Sequence, residues 1–450
     1  MEQLEQKVRS ITAHGPTLRR IWGEQRGMAT VAGWSLLAAV VARGSNLAAL
    51  AICARVLGQV EFGQVAVIQS TVGMFAPLAS LGLALTTTKF VAEYRDRSPE
   101  RAGRIIALSL YAGAAAGLLM TVALIVLAPM MAASGFANPD LKKQLVESSG
   151  LLFLGVIEAV QGGALTGLEA YSRMAKLSAW GGLVSIPLTV LLAYQYGTSG
   201  AIAGLTASLA ISCALNAWVL QAECKSRGIR TTLAGFASEK GILWSFSLPA
   251  YVSGIIVAPV SWLSTVMLVH QSNGFSEMAL FSAADRFRYI LIFIPLAVSR
   301  IAVPALSRFR AEQNHGAYRR AFHWNLGFSL LATVPAVVIC ALVSPRLMGL
   351  FGEGFAQGWP VLALLAISAV PTVLNTQLGA ALLSNGRAWA RTSVDVLLAA
   401  TFLAAAWFAV PRWSAMGLAG AFLFSYSIAS LVLWVLLRQS HTELEREEKG

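Results

Sequence analysis

The chain has 450 residues, of which 56% are hydrophobic and only 12% charged, with a mean hydropathy of +0.65. A soluble domain carries about 25% charged residues, so the composition leaves too little charge for a water-facing surface and requires lipid to cover most of it. The net charge of +12 is not the footprint of nucleic-acid binding, because the Lys and Arg stand in short clusters between apolar stretches, the pattern that sets membrane topology.

Residues 1–27 carry Lys7, Arg9, Arg19, Arg20 and Arg26 and lack an apolar core, so no cleavable signal peptide is expected. Leu18, Ile21 and Trp22 share a helical face beside Arg19, Arg20 and Arg26. Two readings stay open: a segment lying on the inner membrane surface, or a solvated tail. About twenty apolar residues cross a bilayer core. On that measure twelve spans are predicted, at roughly 31–56, 62–87, 105–131, 148–169, 177–196, 201–222, 242–269, 278–304, 323–343, 359–384, 392–410 and 417–437. Gly and Pro recur inside them, as membrane helices allow.

Of the 34 Lys and Arg, 25 fall in the N-terminal tail, in alternate loops (89–104, 173–176, 225–240, 308–320 and 387–391) and in the C-terminal tail. The opposite side receives Lys142, Lys143, Arg346 and Arg412 alone, and Arg43, Arg55, Arg286, Arg288 and Arg300 fall within spans. This asymmetry predicts cytoplasmic termini and an even number of spans. The expected organisation is a cytoplasmic tail (1–30), a six-helix lobe (31–222), a cytoplasmic linker (223–241), a second six-helix lobe (242–437) and a cytoplasmic tail (438–450).

The halves are related at an offset of about 216 positions. Glu61-Phe62 opens the second span and Glu277-Met278 the eighth, the latter after Asn273-Gly274. Pro77 and Pro295 sit late in these spans, and Arg95 and Arg97 match Arg308 and Arg310 in the basic loops that follow. Both halves start on the same side, so the repeat is parallel, a transporter plan with the site where the halves meet. The predicted fold class is an all-α integral membrane protein of about twelve transmembrane helices in two pseudo-symmetric six-helix lobes around a central cavity.

The sequence has no GxxxxGK[ST] loop and no zinc-ligand cluster, and its outward loops are short. Cys53, Cys213, Cys224 and Cys340 form no CxxC pair and read as packing residues. Neither a cofactor nor a metal is expected, and the chain does not read as an enzyme. The informative residues are ionisable groups inside spans, where a central Arg costs about 2.5–3.5 kcal/mol. Arg43 precedes Gly44, Ser45 and Asn46; Glu158 stands near Gln161; Asp285, Arg286 and Arg288 cluster in the eighth span. Asp285 and Arg288 are spaced to neutralise one another, and Arg43 has the alternative of a structural bridge to Glu158. Arg286 points to a different face and lacks a local partner. Arg55 and Arg300 are placed to snorkel, and Glu169 and Asp395 read as interfacial. The remaining excess of buried positive charge suits an anionic group such as a phosphate. Candidate substrate-binding residues are therefore Arg43, Arg286, Arg288 and Asn46, with Glu158 and Asp285 balancing charge or coupling to an ion. Pro249 and Pro259 interrupt the seventh span, and Pro259 falls opposite Arg43-Gly44 at the repeat offset. Gly44, Pro259, Pro77 and Pro295 are candidate hinges, against the alternative that Pro is simply common in membrane helices.

The segment Arg55-Val56-Leu57-Gly58-Gln59-Val60-Glu61-Phe62-Gly63 resembles the R-x-L-G-x-x-E-[FY]-G signature of polysaccharide flippases, as do Ala76-Pro77-Leu78-Ala79-Ser80-Leu81-Gly82-Leu83 and Lys89-Phe90-Val91-Ala92-Glu93-Tyr94 after it. These flippases share a superfamily with the multidrug and toxic compound extruders and the lipid II flippases. The resemblance is specific over residues 43–104 and architectural elsewhere. It implies a V-shaped cavity between two lobes in the bacterial inner membrane. The implied partners are an undecaprenyl-diphosphate-linked oligosaccharide, such as an O-antigen or exopolysaccharide repeat unit, and membrane lipids; a polysaccharide polymerase and glycosyltransferases are candidate partners. Lipid II flippases typically have fourteen spans, two more than counted here. The family has no invariant catalytic motif, so the candidate residues rest on burial and charge. Two rival functions remain: a cation-coupled multidrug exporter of the same fold and a membrane-embedded enzyme of glycan assembly.

Overall fold

The computed structural model describes residues 15–80, 82–232, 248–312 and 314–447, with side chains described for most of these but not for 15–43, Ser45, Asn46, 248–257 and some further positions. Its main helices are α1 (Gly15–Ser80), α2 (Leu83–Tyr94), α3 (Pro99–Met130), α4 (Leu141–Glu147), α5 (Ser149–Gly167), α6 (Tyr171–Ser226), α7 (Leu248–Val269), α8 (Gly274–Leu291), α9 (Phe293–Ala311), α10 (His315–Leu342), α11 (Ser344–Gly349), α12 (Trp359–Ser384) and α13 (Ala388–Glu447). Among the described residues, seven helices are long and apolar enough to cross a membrane.

Three of these helices are pairs of arms. α6 and α13 contain 56 and 60 residues, far beyond the roughly twenty that cross a bilayer. Each breaks at one left-handed residue, Gly197 in α6 and Ser414 in α13. The chain doubles back at these points: a Cβ on Gly204 would stand 2.6 Å from Thr189 Cα, so the two arms of α6 pack backbone to backbone. Gly58, at φ 73°, breaks α1 in the same way, in a conformation glycine adopts without steric cost. With the arms counted separately, the helices follow the order of the twelve expected spans, giving an all-α membrane protein.

The backbone carries the internal repeat more clearly than the side chains do. Left-handed residues recur in pairs offset by 215 to 217 positions: Gly58 with Asn273, Ala137 with Gly352, Glu169 with Gly386, and Gly197 with Ser414. Close contacts recur as well. A Cβ on Gly200 would meet Leu192 O, and one on Gly417 would meet Ala409 O. Turn geometry is dictated by backbone sterics, so it outlives side-chain divergence.

Two expected spans are divided. The predicted span 62–87 ends at Ser80, and Gly82, left-handed at φ 67°, starts α2 in a new direction. The predicted span 278–304 is split at Ile292 (φ −87°, ψ −4°) into α8 and α9. A left-handed glycine accounts for the first position and a proline for the second. Pro77 removes a backbone donor in the last turn of α1, and Pro295 sits in the first turn of α9, where a missing N–H costs nothing. Conversely, α7 runs through Pro259 as a continuous helix and α1 is helical at Gly44, so neither expected interruption is a break in this structure.

Packing differs between the two ends of the bundle. One extended core joins residues of both halves, from Ala54, Phe62 and Phe136 to Phe281, Phe351 and Phe355. Toward the basic loops this core gives way to two separate clusters. One holds Val91, Ile106, Leu165, Leu220 and Ile229, all from the first half; the other holds Leu378, Leu382, Val394 and Leu433, all from the second. The halves are thus joined at the end bearing the Gly58 and Asn273 turns and form separate cores at the basic end.

Candidate functional site

The joined end is closed by a reciprocal exchange. Phe351, fully buried, packs edge-on against Phe62 of the first half at 6.2 Å, and Phe355 does so at 5.8 Å. Its repeat counterpart Phe136, also buried, packs edge-on against Trp262 of the second half at 5.9 Å. A left-handed residue follows each, Gly352 and Ala137, turning the loop back after its aromatic has crossed. Arg55 Nε donates to Leu350 O at 2.8 Å, and Gln59 donates to Gly354 O. Arg55 thus has a protein acceptor in the other half. Gly63 lies so close to Phe275 that an added Cβ would stand 1.9 Å from its carbonyl oxygen.

Below this closure lies a cavity of about 420 Å³, walled by the second arm of α1, α7, α8 and both arms of α13. From α8 come Phe281, Ser282, Asp285, Arg286, Arg288 and Tyr289; from α1, Gln69 and Ser70; from α13, Asp395, Phe402, Phe422 and Tyr426. A broad face of α8 therefore opens to the cavity, and Arg286, expected on a different face from Asp285 and Arg288, joins them there. A second cavity of about 500 Å³ lies within the first half, lined by Glu158, Gly155, Gly181, Ser185, Ser208 and Ser212 among others. Gln69 lines both cavities.

Most charge in the first cavity is neutralised in pairs. Arg288 Nε lies 2.6 Å from Asp285 Oδ1, with the guanidinium 4.9 Å from the centre of the Phe422 ring and the residue 4% exposed. Arg391 grips Asp395 through two contacts, Nη2 to Oδ1 at 2.7 Å and Nε to Oδ2 at 3.2 Å. It also donates to Asn375 O and Oδ1 at 3.0 and 3.1 Å. The guanidinium has room there because residue 379 is glycine; a Cβ at that position would stand 2.0 Å from Nη1. Asp395, expected at the membrane interface, is instead part of the cavity wall.

Arg286 has no carboxylate partner among the described residues. Its Nη2 donates to Gln69 Oε1 at 2.8 Å, across the seam between the halves. Neighbouring links cross the same seam: Ser70 and Thr265 hydroxyls at 2.9 Å, and Trp262 Nε1 donating to Thr71 Oγ1 at 3.2 Å. With Asp285–Arg288 and Asp395–Arg391 each neutral, Arg286 supplies the cavity's uncompensated charge among the described residues.

Glu158 faces the second cavity, away from Arg286, and forms no ion pair among the described residues. The side chains of Arg43 and Asn46 lie outside the described residues, as does that of Arg300. Glu169, expected at the interface, pairs with Arg95 at 2.9 Å, while Arg95 Nη1 donates to Gly167 O at 3.1 Å and satisfies a carbonyl at the end of α5. Pro295 borders a buried polar knot. Gln377, with no exposure, accepts from Ser299 Oγ and Asn325 Nδ2 and donates to Ser329 Oγ at 2.8 Å and Pro295 O at 3.3 Å. Sequence reading missed Gln69, Gln377 and Arg391. Two of these are neutral amides, without the charge that marks a residue inside a span, and the third stood in a basic loop.

A duplicated helical membrane bundle, closed at one end around a cavity with one uncompensated guanidinium among the described residues, is the class these features define. The chain belongs to the family described as polysaccharide biosynthesis protein, which it matches over residues 30–310. The EPS I polysaccharide export inner membrane protein EpsE of Ralstonia nicotianae is 25% identical over 242 residues, 50% of this chain and 53% of that protein. The succinoglycan biosynthesis transport protein ExoT of Rhizobium meliloti is 24% identical over 344 residues, 75% of this chain and 65% of that protein. The chain thus spans between half and two thirds of the length of these relatives. Among solved structures, an inward-facing multidrug resistance MATE family transporter of the MOP superfamily aligns with TM-score 0.78 at 17% identity, covering 89% of this chain and 95% of its own. The lipid II flippase MurJ, in an inward closed conformation, aligns with TM-score 0.72 at 13% identity, covering 90% and 87%. At these identities the likeness concerns the fold.

Proposed function

We propose that this protein carries polyprenyl-diphosphate-linked oligosaccharide repeat units across the bacterial inner membrane by alternating access, for O-antigen or exopolysaccharide assembly. The single observation that carries the reading is Arg286: a guanidinium facing the cavity with only a neutral amide as partner. A diphosphate meets that charge with oxygens that a guanidinium binds in a forked manner. The two relatives, named for polysaccharide export and succinoglycan transport, favour the same substrate class. A lipophilic drug cation would instead be repelled by Arg286.

The basic loops assign the separated end to the cytoplasm, so the cavity is closed toward the periplasm. The two lobes, 31–222 and 242–437, would rock about the Gln69–Arg286 seam to reverse this closure. Pro77, Pro295, Pro259 and Gly44 are the assigned flexing points. Arg43 and Asn46 would assist at the diphosphate, while Arg288, held by Asp285, orders the wall beside it. Glu158 balances charge in the first lobe or couples the cycle to a proton or cation.

The test is periplasmic arrival of lipid-linked oligosaccharide in cells carrying Arg286 variants at matched protein levels. Each charge-assisted hydrogen bond contributes about 1.5–3 kcal/mol, so losing two lowers affinity by roughly a hundredfold or more. Arg286→Gln is expected to abolish arrival and Arg286→Lys to retain part of it. Full arrival with Arg286→Gln would overturn the reading.

A further inference from the structure

We propose that Arg55 is a second phosphate-binding residue, at the exit, which takes the substrate's diphosphate when the closed end opens. This rests on the diphosphate reading of Arg286 and deepens it by a second residue on the same path. The edge of a guanidinium formed by Nε and Nη2 forks onto two oxygens of a phosphate. In Arg55 that edge faces two carbonyl oxygens of the second half, Leu350 O at 2.8 Å and Gly349 O at 3.5 Å, the longer contact being weak. Two neutral oxygens thus stand where phosphate oxygens would sit. Gln59 donates to Gly354 O of the same loop.

A latch alone needs no charge at residue 55. Gln59 holds the same loop with a neutral amide. At the repeat offset of 216, Arg55 is matched by Gln271, which bonds back to Met267 O at 3.1 Å within its own half. Nor does a carboxylate hold Arg55 among the described residues. The glutamates nearby in the repeat, Glu61 and Glu277, serve the hairpins of their own halves. Glu61 lies against Gly197, and Glu277 accepts from Ala415 N at 3.0 Å.

Arg286 and Arg55 both bond across the halves to neutral acceptors, but the acceptors of Arg55 lie at the end that opens for release. Separation there carries Gly349 and Leu350 away with the second half and leaves Arg55, already exposed, facing the gap. A phosphate competes with two carbonyls in the closed state and with water alone in the open one. A ligand shifts an equilibrium only by its difference in affinity for the two states. The diphosphate therefore favours the open exit through Arg55, and opening follows arrival of the substrate's own charge.

The test reads opening as labelling of an Ala54→Cys thiol, at a fully buried position of the core that joins the halves. The full-length protein is held in phosphatidylcholine nanodiscs. Undecaprenyl diphosphate is expected to raise the labelling rate about tenfold, as a charge-assisted fork gained only in the open state would. Undecaprenol should leave the rate unchanged, and phosphatidylglycerol, a diester with one charge, should raise it less. Arg55→Gln should raise the basal rate, because the latch is weakened, and abolish the response to undecaprenyl diphosphate. Arg55→Lys should keep part of the response. Gln59→Leu removes the neighbouring latch bond without touching the charge and should keep all of it. No response in the wild type, an undiminished response in Arg55→Gln, or an equal response to phosphatidylglycerol would overturn the exit site alone. The diphosphate reading of Arg286 falls on a different result, full arrival of lipid-linked oligosaccharide with Arg286→Gln.

Discussion

Arg286 and Gln69 stand 217 positions apart in the chain and 2.8 Å apart in space. The separation lies within two positions of the 215-residue offset between the flanking turns, Gly58 with Asn273 and Ala137 with Gly352, so near-equivalent positions of the two halves meet at the seam. That is where a ligand would contact both halves at once. The bond is also a weak restraint, since a neutral amide can be exchanged for a phosphate oxygen without leaving a buried carboxylate unpaired. Arg288 is different. Freeing it would strand Asp285, and breaking a buried ion pair costs about 3–5 kcal/mol.

The closure around Phe62, Phe351 and Phe355, proposed to face the periplasm, is expected to loosen when its aromatic plug is removed. Phe351→Ala should favour opening by about 1–3 kcal/mol, less than a comparable loss in a soluble core because lipid offers no transfer term between helices. The measurement is labelling of a Gln59→Cys thiol from the periplasmic side, with and without Phe351→Ala. Faster labelling in the double variant is the expected result. An unchanged rate would mean that Phe62 and Phe355 close the end unaided.

Gln377 should matter for stability. Gln377→Leu leaves Asn325, Ser299 and Ser329 without their amide partner, and each stranded buried group costs about 1–3 kcal/mol. The thermal midpoint in detergent is expected to fall by several degrees, and a midpoint equal to the wild type would refute the structural role. Gly379→Ala should perturb the same helix, because its Cβ displaces the Arg391 guanidinium from Asn375.

Topology can be checked independently of any substrate. Reporter fusions at Gly235 and Gly354 are expected to report opposite compartments, Gly235 cytoplasmic and Gly354 periplasmic. Both on one side would contradict the in–out assignment of the closure.

Span order and the parallel repeat were legible in the sequence because apolar length and loop charge are local, additive signals. The Asp285–Arg288 pair was legible too, since spacing on one helix fixes it. The breaks at Gly82 and Ile292 were not. Leu81, Leu83 and Leu291 keep the apolar run unbroken while the backbone turns. The partner of Arg286 was hidden for another reason. Gln69 is uncharged, and its contact depends on how two halves pack. Asp395 misled as well: its position near a span end suggested an interface, whereas it lines the cavity, paired with an Arg391 guanidinium that occupies the gap left by Gly379.

The central claim is that the Arg286 charge is left free for an anionic substrate, and Gln69→Glu tests it most directly. This substitution puts a carboxylate of nearly the same shape where the amide stands, 2.8 Å from the guanidinium. The measurement is periplasmic arrival of lipid-linked oligosaccharide at matched protein levels, with the thermal midpoint in detergent recorded alongside. If Arg286 binds a diphosphate, the new carboxylate occupies it and repels the phosphates, and arrival falls to the level of Arg286→Gln although the midpoint holds or rises. If Arg286 only braces the seam, the ion pair braces it better, and normal arrival with a raised midpoint would contradict the account.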